Sequence, residues 1–326
     1  MATTVKDVAT MAGISASTVS RVLNGSSHVS QSTREKVMRA VEVLNYSPNT
    51  LAQGLKGGNS RVIGLIMPYI GTSITNYATC GVEQAARERG YTVMLCNTNE
   101  SLLSEKEHVE LLIKRGVDGI IFATVTKSLA HQDHIRTVFE SGLPVVNMIR
   151  RMKAGSQVPT VTIDNYQCGY DVAEEVIRQG GRHVVIVEQQ ATFYLYDERV
   201  DGCVDALQNC GIKPVILSSA TEISAYLASG AALDHVIAVN DSVAAKTITS
   251  IVRAGKCVPQ DIGVFGFGDL EISRLYNPSI STVKQPFTEV GNQACHLLID
   301  KIENPTLEQE REILLQGELI VRESSR

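Results

Sequence analysis

The sequence lacks the patterns that mark membrane proteins, secreted proteins and structural zinc sites. No apolar run approaches the roughly 18 residues that a membrane-spanning helix needs, and no basic segment followed by an apolar one opens the chain. The seven cysteines are scattered and include no Cys-x-x-Cys pair, which argues against a disulfide framework and a zinc site. We therefore expect a cytoplasmic protein with reduced thiols, no bound metal and no membrane contact.

Common catalytic motifs are missing as well. The chain has no Gly-x-Ser-x-Gly elbow, no His-Glu-x-x-His helix and no phosphate loop ending in Gly-Lys-Ser/Thr. Gly266-Phe-Gly-Asp follows a predicted strand, but the third glycine of a dinucleotide loop is absent. His131 and His134 lie one helical turn apart without a third ligand nearby in sequence. These absences favour a protein that is not an enzyme and needs no cofactor.

Charge is distributed unevenly along the chain. Residues 1–59 carry a net charge of +3, whereas residues 60–326 carry −8, which together give the −5 of the whole chain. A small cationic segment beside an acidic body suits contact with phosphates through that segment alone.

The first residues have the pattern of two short helices joined by a turn. Thr4 and Asp7 have the spacing of a capping box, and Gly13 is placed to end the first helix. Ser15 is placed to cap the second helix. The residues expected to face inward are Val5, Val8, Ala9, Ala12, Val19, Val22 and Leu23. Such a pair predicts a helix-turn-helix, whose second helix enters the DNA major groove; the alternative is a helical hairpin with only a structural role.

A third helix and a short connecting segment follow. Ser30 or Ser32 is placed to begin the helix, and its inward face is expected to be Val37, Ala40, Val41 and Leu44. Pro48 then breaks the chain. Residues 49–56 are long enough for two helical turns, which are marginal in water alone. The alternative for residues 49–60 is a plain flexible linker.

These segments resemble the N-terminal region of the lactose/galactose repressor (LacI/GalR) family. The matching segments are Val5-Lys-Asp-Val-Ala, Ala12-Gly-Ile-Ser, Thr18-Val-Ser-Arg-Val-Leu-Asn, Val29-Ser, Thr33-Arg-Glu-Lys-Val, Leu44-Asn-Tyr-Ser-Pro-Asn and Leu51-Ala-Gln-Gly-Leu. The resemblance implies that Leu55 from each of two subunits wedges into the minor groove, after a hinge folds on DNA. It also implies the DNA-binding residues Thr4, Ser15, Ala16, Ser17, Thr18, Ser20, Arg21, Asn24, Ser30, Thr33, Asn49, Ala52, Leu55 and Lys56. Among them, Ala16, Ser17 and Arg21 would read bases.

The remainder alternates short β-branched runs with amphipathic helical stretches. Predicted strands begin near residues 62, 92, 119, 145, 161, 184, 215, 236 and 263. This alternation predicts parallel sheets covered on both faces. We expect an all-α helix-turn-helix head (1–48), a hinge (49–60) and an α/β body (61–326). The body would have two doubly wound lobes, 61–158 with 288–305 and 159–287 with 306–326, as the family's resemblance to periplasmic sugar-binding proteins implies.

Ligands of such sheets bind at the carboxyl ends of the strands, so the space between the lobes is the expected effector site. By the resemblance, Arg199 binds effector oxygens and Asn240 hydrogen-bonds a sugar, with a helix cap as the alternative for Asn240. Ile74 and Thr75 are expected at the site-facing start of a helix. Phe193 would stack on a ring or serve only in packing.

Two positions depart from what the family suggests. Many relatives place an aspartate directly after Gly-Phe/Tyr, where this chain has Gly268 followed by Asp269. Asp269 would reach the site through a shifted loop, with a carboxylate that points elsewhere as the alternative. Arg150 opens a basic cluster where some relatives carry an acid. It would favour an acidic or phosphorylated sugar, with a solvated crossover loop as the alternative.

The predicted function is a DNA-binding transcriptional repressor controlled by a small molecule, a sugar or sugar derivative. A homodimer would bind a near-palindromic double-stranded operator; the absence of a heptad repeat after Leu319 favours a dimer over a tetramer. A transcriptional activator of the same family is the near alternative. A sugar-binding transport protein and an enzyme are the remote ones.

Overall fold

The computed structural model describes residues 3–23, 29–46, 60–123, 133–152, 155–188 and 194–326. The chain divides into two compact units, Met1–Ser60 and Arg61–Arg326, here called the head and the body. Among the described residues, no helix is both long and apolar enough to cross a membrane.

The head contains three helices around a small apolar core. They are α1 (Val5–Ala12), α2 (Ala16–Leu23) and α3 (Gln31–Val43). Six residues are buried between them: Val8, Ala9, Val19, Val22, Val37 and Ala40. All six lie at positions that the apolar spacing assigns to the inward faces, since helical periodicity places residues three and four apart on one side.

The caps of α1 and α3 agree with the sequence. Thr4 and Asp7 form the expected capping box, and Gly13 ends α1 with a φ of +67°. That left-handed conformation favours glycine, which has no Cβ to clash. Ser30 caps α3 by accepting a hydrogen bond from the Thr33 amide. Of the two serines expected to begin α3, the structure therefore selects Ser30 over Ser32.

Strands and helices alternate along the body. The first part of the body contains β1 (Val62–Met67), α4 (Ser73–Glu88), β2 (Thr92–Asn97), α5 (Leu102–Arg115), β3 (Gly119–Phe122), α6 (Asp133–Glu140), β4 (Val145–Ile149) and β5 (Thr160–Ile163). Next come α7 (Asn165–Arg178), β6 (Val184–Val187), α8 (Tyr194–Asn209), β7 (Val215–Leu217), α9 (Glu222–Ala228), β8 (His235–Ala238), α10 (Asp241–Arg253), β9 (Gly263–Gly268) and α11 (Glu271–Leu275). The last elements are β10 (Ser281–Lys284), α12 (Phe287–Glu303), β11 (Glu312–Leu315) and β12 (Glu318–Ile320).

Two six-stranded sheets form the centres of two lobes. The first sheet has the order β11-β5-β4-β3-β1-β2, and the second has the order β12-β10-β9-β8-β6-β7. All pairings are parallel except that of β12 with β10. The doubly wound α/β body is confirmed. The strands β10, β11 and β12 were not predicted, because they are short and partly polar.

The lobe boundaries expected from the sequence are wrong at two strands. The expectation assigned residues 159–287 and 306–326 to the second lobe, but β5 and β11 both belong to the first sheet. Thr160 pairs with Asn147 of β4, and Glu312 pairs with Thr160 in turn. The chain therefore passes between the lobes after β5, after β10 and between β11 and β12. The pairing of β5 could not be seen in the sequence, since its apolar pattern suits either sheet equally.

Glycines allow the helices of each lobe to pack closely. In the first lobe, a Cβ on Gly81 of α4 would lie 1.9 Å from the backbone oxygen of Thr288 of α12. In the second lobe, a Cβ on Gly169 of α7 would lie 2.1 Å from the backbone oxygen of Arg199 of α8. Any larger residue at these positions must push two backbones apart.

We expect Gly169→Ala to lower the free energy of unfolding by about 1–3 kcal/mol, because the new methyl group overpacks the α7–α8 contact. Alanine's better helix propensity, about 1 kcal/mol, offsets only part of this cost. Chemical denaturation monitored by circular dichroism measures the difference. Glu174→Ala, at an exposed position of the same helix, is the control; equal stability of the two variants would contradict the close-packing interpretation.

Candidate functional site

The outer face of α2 carries small polar side chains and one cation. Ser17 and Arg21 are exposed, Ala16 and Ser20 are half-buried, and Val19 is buried in the head core. The core thus fixes the rotation of α2 and leaves Ser17 and Arg21 on its accessible side, whereas Ala16, the third predicted base-reading residue, packs against the core. A helix with this face can insert into a major groove.

Hydroxyl groups lie at the N-termini of α2 and α3. The Ser15 hydroxyl accepts a hydrogen bond from the Thr18 amide at 3.2 Å and lies 2.9 Å from the Ser17 hydroxyl. Ser30 is bonded in the same way to the amide of Thr33, at 3.3 Å. Helix N-termini attract phosphate because their amides carry partial positive charge.

The N-terminus of α1 differs from these two. The Asp7 carboxylate accepts hydrogen bonds from both the amide and the hydroxyl of Thr4, each at 2.8 Å. These bonds, the amide bond foremost, hold the pKa of Asp7 below its usual value. In the structure Thr4 is therefore a helix cap. Six predicted site residues lie outside the described residues: Asn24, Asn49, Ala52, Leu55, Lys56 and Phe193.

In the body, a cavity of about 120 Å³ lies between the two lobes. The first lobe contributes the start of α4 and the loops after β1, β2, β3 and β4, and the second contributes α8. The crossovers after β5 and β10 complete the cavity. Its lining is Pro68, Tyr69, Thr72, Ile74, Thr75, Glu100, Ala123, Ile149, Arg150, Ile163, Asn165, Tyr196, Arg199, Gln285 and Phe287. The cavity thus lies where parallel strands end, as the topology rule requires.

Arg199 is the centre of a buried hydrogen-bond network. Its Nε donates to Asn165 Oδ1 at 2.8 Å, Nη1 to the Val239 carbonyl at 2.7 Å, and Nη2 to Gln285 Oε1 at 2.8 Å. The guanidinium also lies 5.2 Å from the ring centres of Tyr196 and Phe267. Burial lowers the pKa of Arg199, because the interior disfavours its charge.

This network reaches two of the three crossovers. Asn165 follows β5 and Gln285 follows β10, and Gln285 Nε2 also donates to Asn165 Oδ1 at 3.2 Å. A ligand that contacts Arg199 would therefore act on side chains located where the chain passes between the lobes.

Arg150 reaches the cavity from a strained turn after β4. Ile149 has a φ of +70°, a left-handed conformation that is rare for a β-branched residue. Two interactions hold this turn: the Thr162 hydroxyl donates to the Ile149 carbonyl at 2.7 Å, and the Asn147 amide donates to the Arg150 carbonyl. The Arg150 side chain is consequently buried, with 7% of the residue exposed.

The structure brings four of the predicted effector residues together and separates two. Ile74, Thr75, Arg150 and Arg199 all line the cavity. Asn240 does not; its side chain caps α10 through the Val243 amide at 2.8 Å and donates to the Tyr196 hydroxyl at 3.3 Å. The helix-cap alternative for Asn240 thus describes its position.

Asp269 is also absent from the lining. Its carboxylate accepts hydrogen bonds from Arg322 at 2.5 Å and Ser273 at 3.2 Å, and Arg274 lies 3.4 Å away. The carboxylate beside β9 is instead Asp241, which accepts from the Thr282 hydroxyl at 2.6 Å and the Leu270 amide at 2.8 Å. The Asp269 carboxylate therefore points away from the cavity, towards Arg322 and Ser273.

Eleven of the fifteen lining residues were missed by the sequence reasoning, among them the polar or aromatic residues Tyr69, Glu100, Asn165, Tyr196, Gln285 and Phe287. Asn165 and Gln285 directly follow strands, and polar residues at strand ends are a usable signal. That signal failed because β5 was assigned to the wrong lobe and β10 was not predicted.

Both parts of the chain match models of known protein families. Residues 60–323 match the family model described as periplasmic binding proteins and sugar binding domain of LacI family, and residues 4–49 match that of bacterial regulatory proteins, lacI family. The HTH-type transcriptional regulator RegA of Clostridium saccharobutylicum is 31% identical over 100% of both chains. The ribose operon repressor of Bacillus subtilis is 31% identical over 93% of both.

Solved structures share this fold over nearly the whole chain. The lac repressor dimer bound to operator and an anti-inducer has a TM-score of 0.86 at 24% identity, with 100% of this chain and 99% of that chain covered. A complex of the transcriptional regulator CelR with cellobiose has a TM-score of 0.72 at 26% identity, with 99% and 100% covered.

Proposed function

The chain belongs to the LacI family of bacterial regulatory proteins, and from this we propose that it represses transcription by binding operator DNA under the control of a small molecule. The observation that carries the proposal is the combination of two sites in one chain. The head presents Ser17 and Arg21 on an exposed helix face, and the body contains a cavity at the crossovers between its lobes. One site suits DNA and the other suits a metabolite.

Within the head, we propose a DNA-binding domain (1–48) followed by a hinge (49–60), and the body (61–326) is the proposed effector-binding domain. For DNA contact we propose Ala16, Ser17, Ser20 and Arg21 on α2, and Ser15, Thr18, Ser30 and Thr33 at helix N-termini. Residues Asn24, Asn49, Ala52, Leu55 and Lys56 remain sequence-based predictions. A homodimer would place one head in each half of a near-palindromic operator, because the two-fold symmetry of a dimer is matched by that of its site.

For the effector we propose contact with Ile74, Thr75, Arg150 and Arg199. Asn240 would act indirectly, by orienting Tyr196 through its hydrogen bond. A ligand that binds one arrangement of the lobes more tightly than another shifts the population towards it. If operator DNA also prefers one of these arrangements, the effector changes the affinity for the operator. The operator then changes the affinity for the effector by the same factor, because the coupling between two sites is reciprocal.

The relatives are transcriptional regulators, and we propose that this chain, too, binds its effector without turning it over, in the cytoplasm where the chromosome lies. Incubation of purified protein with a bound metabolite, followed by mass spectrometry, tests this point. Conversion of the metabolite would overturn it.

The proposed function is tested by selecting preferred duplexes from a random pool with the purified full-length chain. The expected result is a two-fold symmetric sequence that binds more tightly than random duplex. A thermal-shift screen of sugars, sugar acids and sugar phosphates then identifies ligands, and each hit is added to the operator-binding assay. No preference for any symmetric duplex, with or without the hits, would overturn the proposal.

We expect Leu55→Ala to weaken operator binding by roughly tenfold or more. An apolar wedge in the minor groove stabilises the kinked duplex by a few kcal/mol, and alanine is too short to replace it. Fluorescence anisotropy with a labelled operator measures the change. Leu275→Ala is the control, because Leu275 lies in the body with 75% of the residue exposed. Equal operator affinity of the two variants would contradict the insertion of Leu55 into the minor groove.

A further inference from the structure

Two buried cations line the cavity. Only 2% of Arg199 and 7% of Arg150 is exposed. Among the described lining residues, Glu100 is the one carboxylate, and it is exposed. The lining therefore has a net charge of +1. Both of its buried charges, those of Arg150 and Arg199, are positive.

The charge of Arg199 is held by neutral groups. Its three hydrogen-bond acceptors are an amide oxygen of Asn165, a backbone carbonyl and an amide oxygen of Gln285. Within the described part of the chain, no carboxylate forms an ion pair with it. A guanidinium has five N–H donors, so two of them, one on each terminal nitrogen, are left for a ligand.

Burial also makes the charge of Arg150 costly. Burial lowers the pKa of Arg150 to about 10, and the nearby Glu100 offsets only part of this effect. A charge transferred from water to the interior loses solvation, and an opposite charge at hydrogen-bond distance restores much of it. The strained turn at Ile149 keeps the side chain in this position.

The buried polar lining is also poor in acceptors. Asn165 Oδ1 already accepts hydrogen bonds from Arg199 and Gln285, and Gln285 Oε1 already accepts one from Arg199. A neutral sugar needs acceptors for its hydroxyl protons, whereas a carboxylate or phosphate group needs only donors.

We propose that the effector is an anionic small molecule, whose carboxylate or phosphate group binds to Arg150 and Arg199. This inference rests on the proposed effector role of the cavity. The side chains of Ile74, Tyr196 and Phe287 supply an apolar wall for the ring or carbon chain that bears the anionic group. The anion accepts hydrogen bonds from both guanidinium groups and neutralises the buried excess charge.

The test compares matched ligands by thermal shift and isothermal titration calorimetry. The panel contains D-glucose, D-gluconate and D-glucose 6-phosphate, D-ribose, D-ribonate and D-ribose 5-phosphate, and D-galactose, D-galacturonate and D-galactose 6-phosphate. We expect at least one anionic member to bind roughly tenfold or more tightly than its neutral parent, because charged hydrogen bonds are stronger than neutral ones. The acid and phosphate members distinguish the two sources of charge. If neutral sugars bind equally or better, or if no anionic member binds, the inference is overturned.

Variants of Arg150 test the contact itself. We expect Arg150→Gln to weaken binding of the selected anion by roughly tenfold or more, and Arg150→Lys, which retains the charge, to weaken it less. Arg136→Gln removes a charge from an exposed position of the same lobe and is the control. Thermal melting of each variant shows that it is folded. An unchanged preference for the anion in Arg150→Gln would contradict the contact.

This inference and the proposed function fail in different ways. Operator binding of the wild-type protein is measured with every ligand that binds. Regulation by neutral sugars alone would overturn the anionic effector and leave the repressor intact. Anion binding in the cavity without any operator preference would overturn the repressor function and leave the anionic ligand of the cavity intact.

Discussion

Raising the salt concentration from about 50 mM to about 200 mM is expected to weaken operator binding by roughly a thousandfold. Each head has a net charge of +3 up to residue 59, so a dimer would neutralise about six phosphates and release the ions condensed on them. Fluorescence anisotropy at several salt concentrations gives the slope of log affinity against log salt, for which we expect about −5.

A matched measurement distinguishes the salt dependence of operator binding by the head from that of effector binding by the body. The body carries a net charge of −8, so it adds repulsion and no phosphate contacts. Binding of the selected effector to the same protein is measured over the same salt range, where a single anionic group gives a far shallower slope. An operator slope near zero would contradict DNA binding through phosphates.

The second large effect is expected from Arg199→Met, which should weaken effector binding by at least about thirtyfold. Removing one partner of a buried, charged hydrogen bond costs about 2–5 kcal/mol in binding. The substitution also leaves the Val239 carbonyl and the Gln285 amide oxygen without their donor, at about 1–3 kcal/mol for each buried group. Calorimetric titration measures the affinity, and denaturation measures the loss of stability.

The control for Arg199→Met is Arg178→Met, on the neighbouring helix α7. The Arg178 side chain is 71% exposed and pairs with Glu175, so its loss should leave effector binding within about twofold of the wild type, as is usual for surface ion pairs. Arg199→Lys, which retains the charge, addresses the chance that methionine unfolds the body. Normal effector binding by a folded Arg199→Met protein would contradict the proposed contact between Arg199 and the effector.

The sequence predicted the head well because its signals are local. The capping box of Thr4, the glycine at position 13 and the burial of Val19 depend on residues a few positions away, and helical periodicity expresses them directly. The first nine strands of the body, β1 to β9, were found for the same reason. Their β-branched runs differ from the amphipathic stretches between them, whichever sheet they later join.

The sequence by itself determined the helix-turn-helix and the α/β alternation, whereas the tertiary structure decided the lobes and the cavity. Glu312 and Thr160 meet through backbone hydrogen bonds across a long stretch of chain, and backbone pairing leaves little trace in side-chain pattern. Asn165, Tyr196 and Gln285 come from separate elements and meet only when the crossovers form. Asp269 is turned towards Arg322 for the same physical reason: contacts between distant segments, which no local pattern encodes, set its direction.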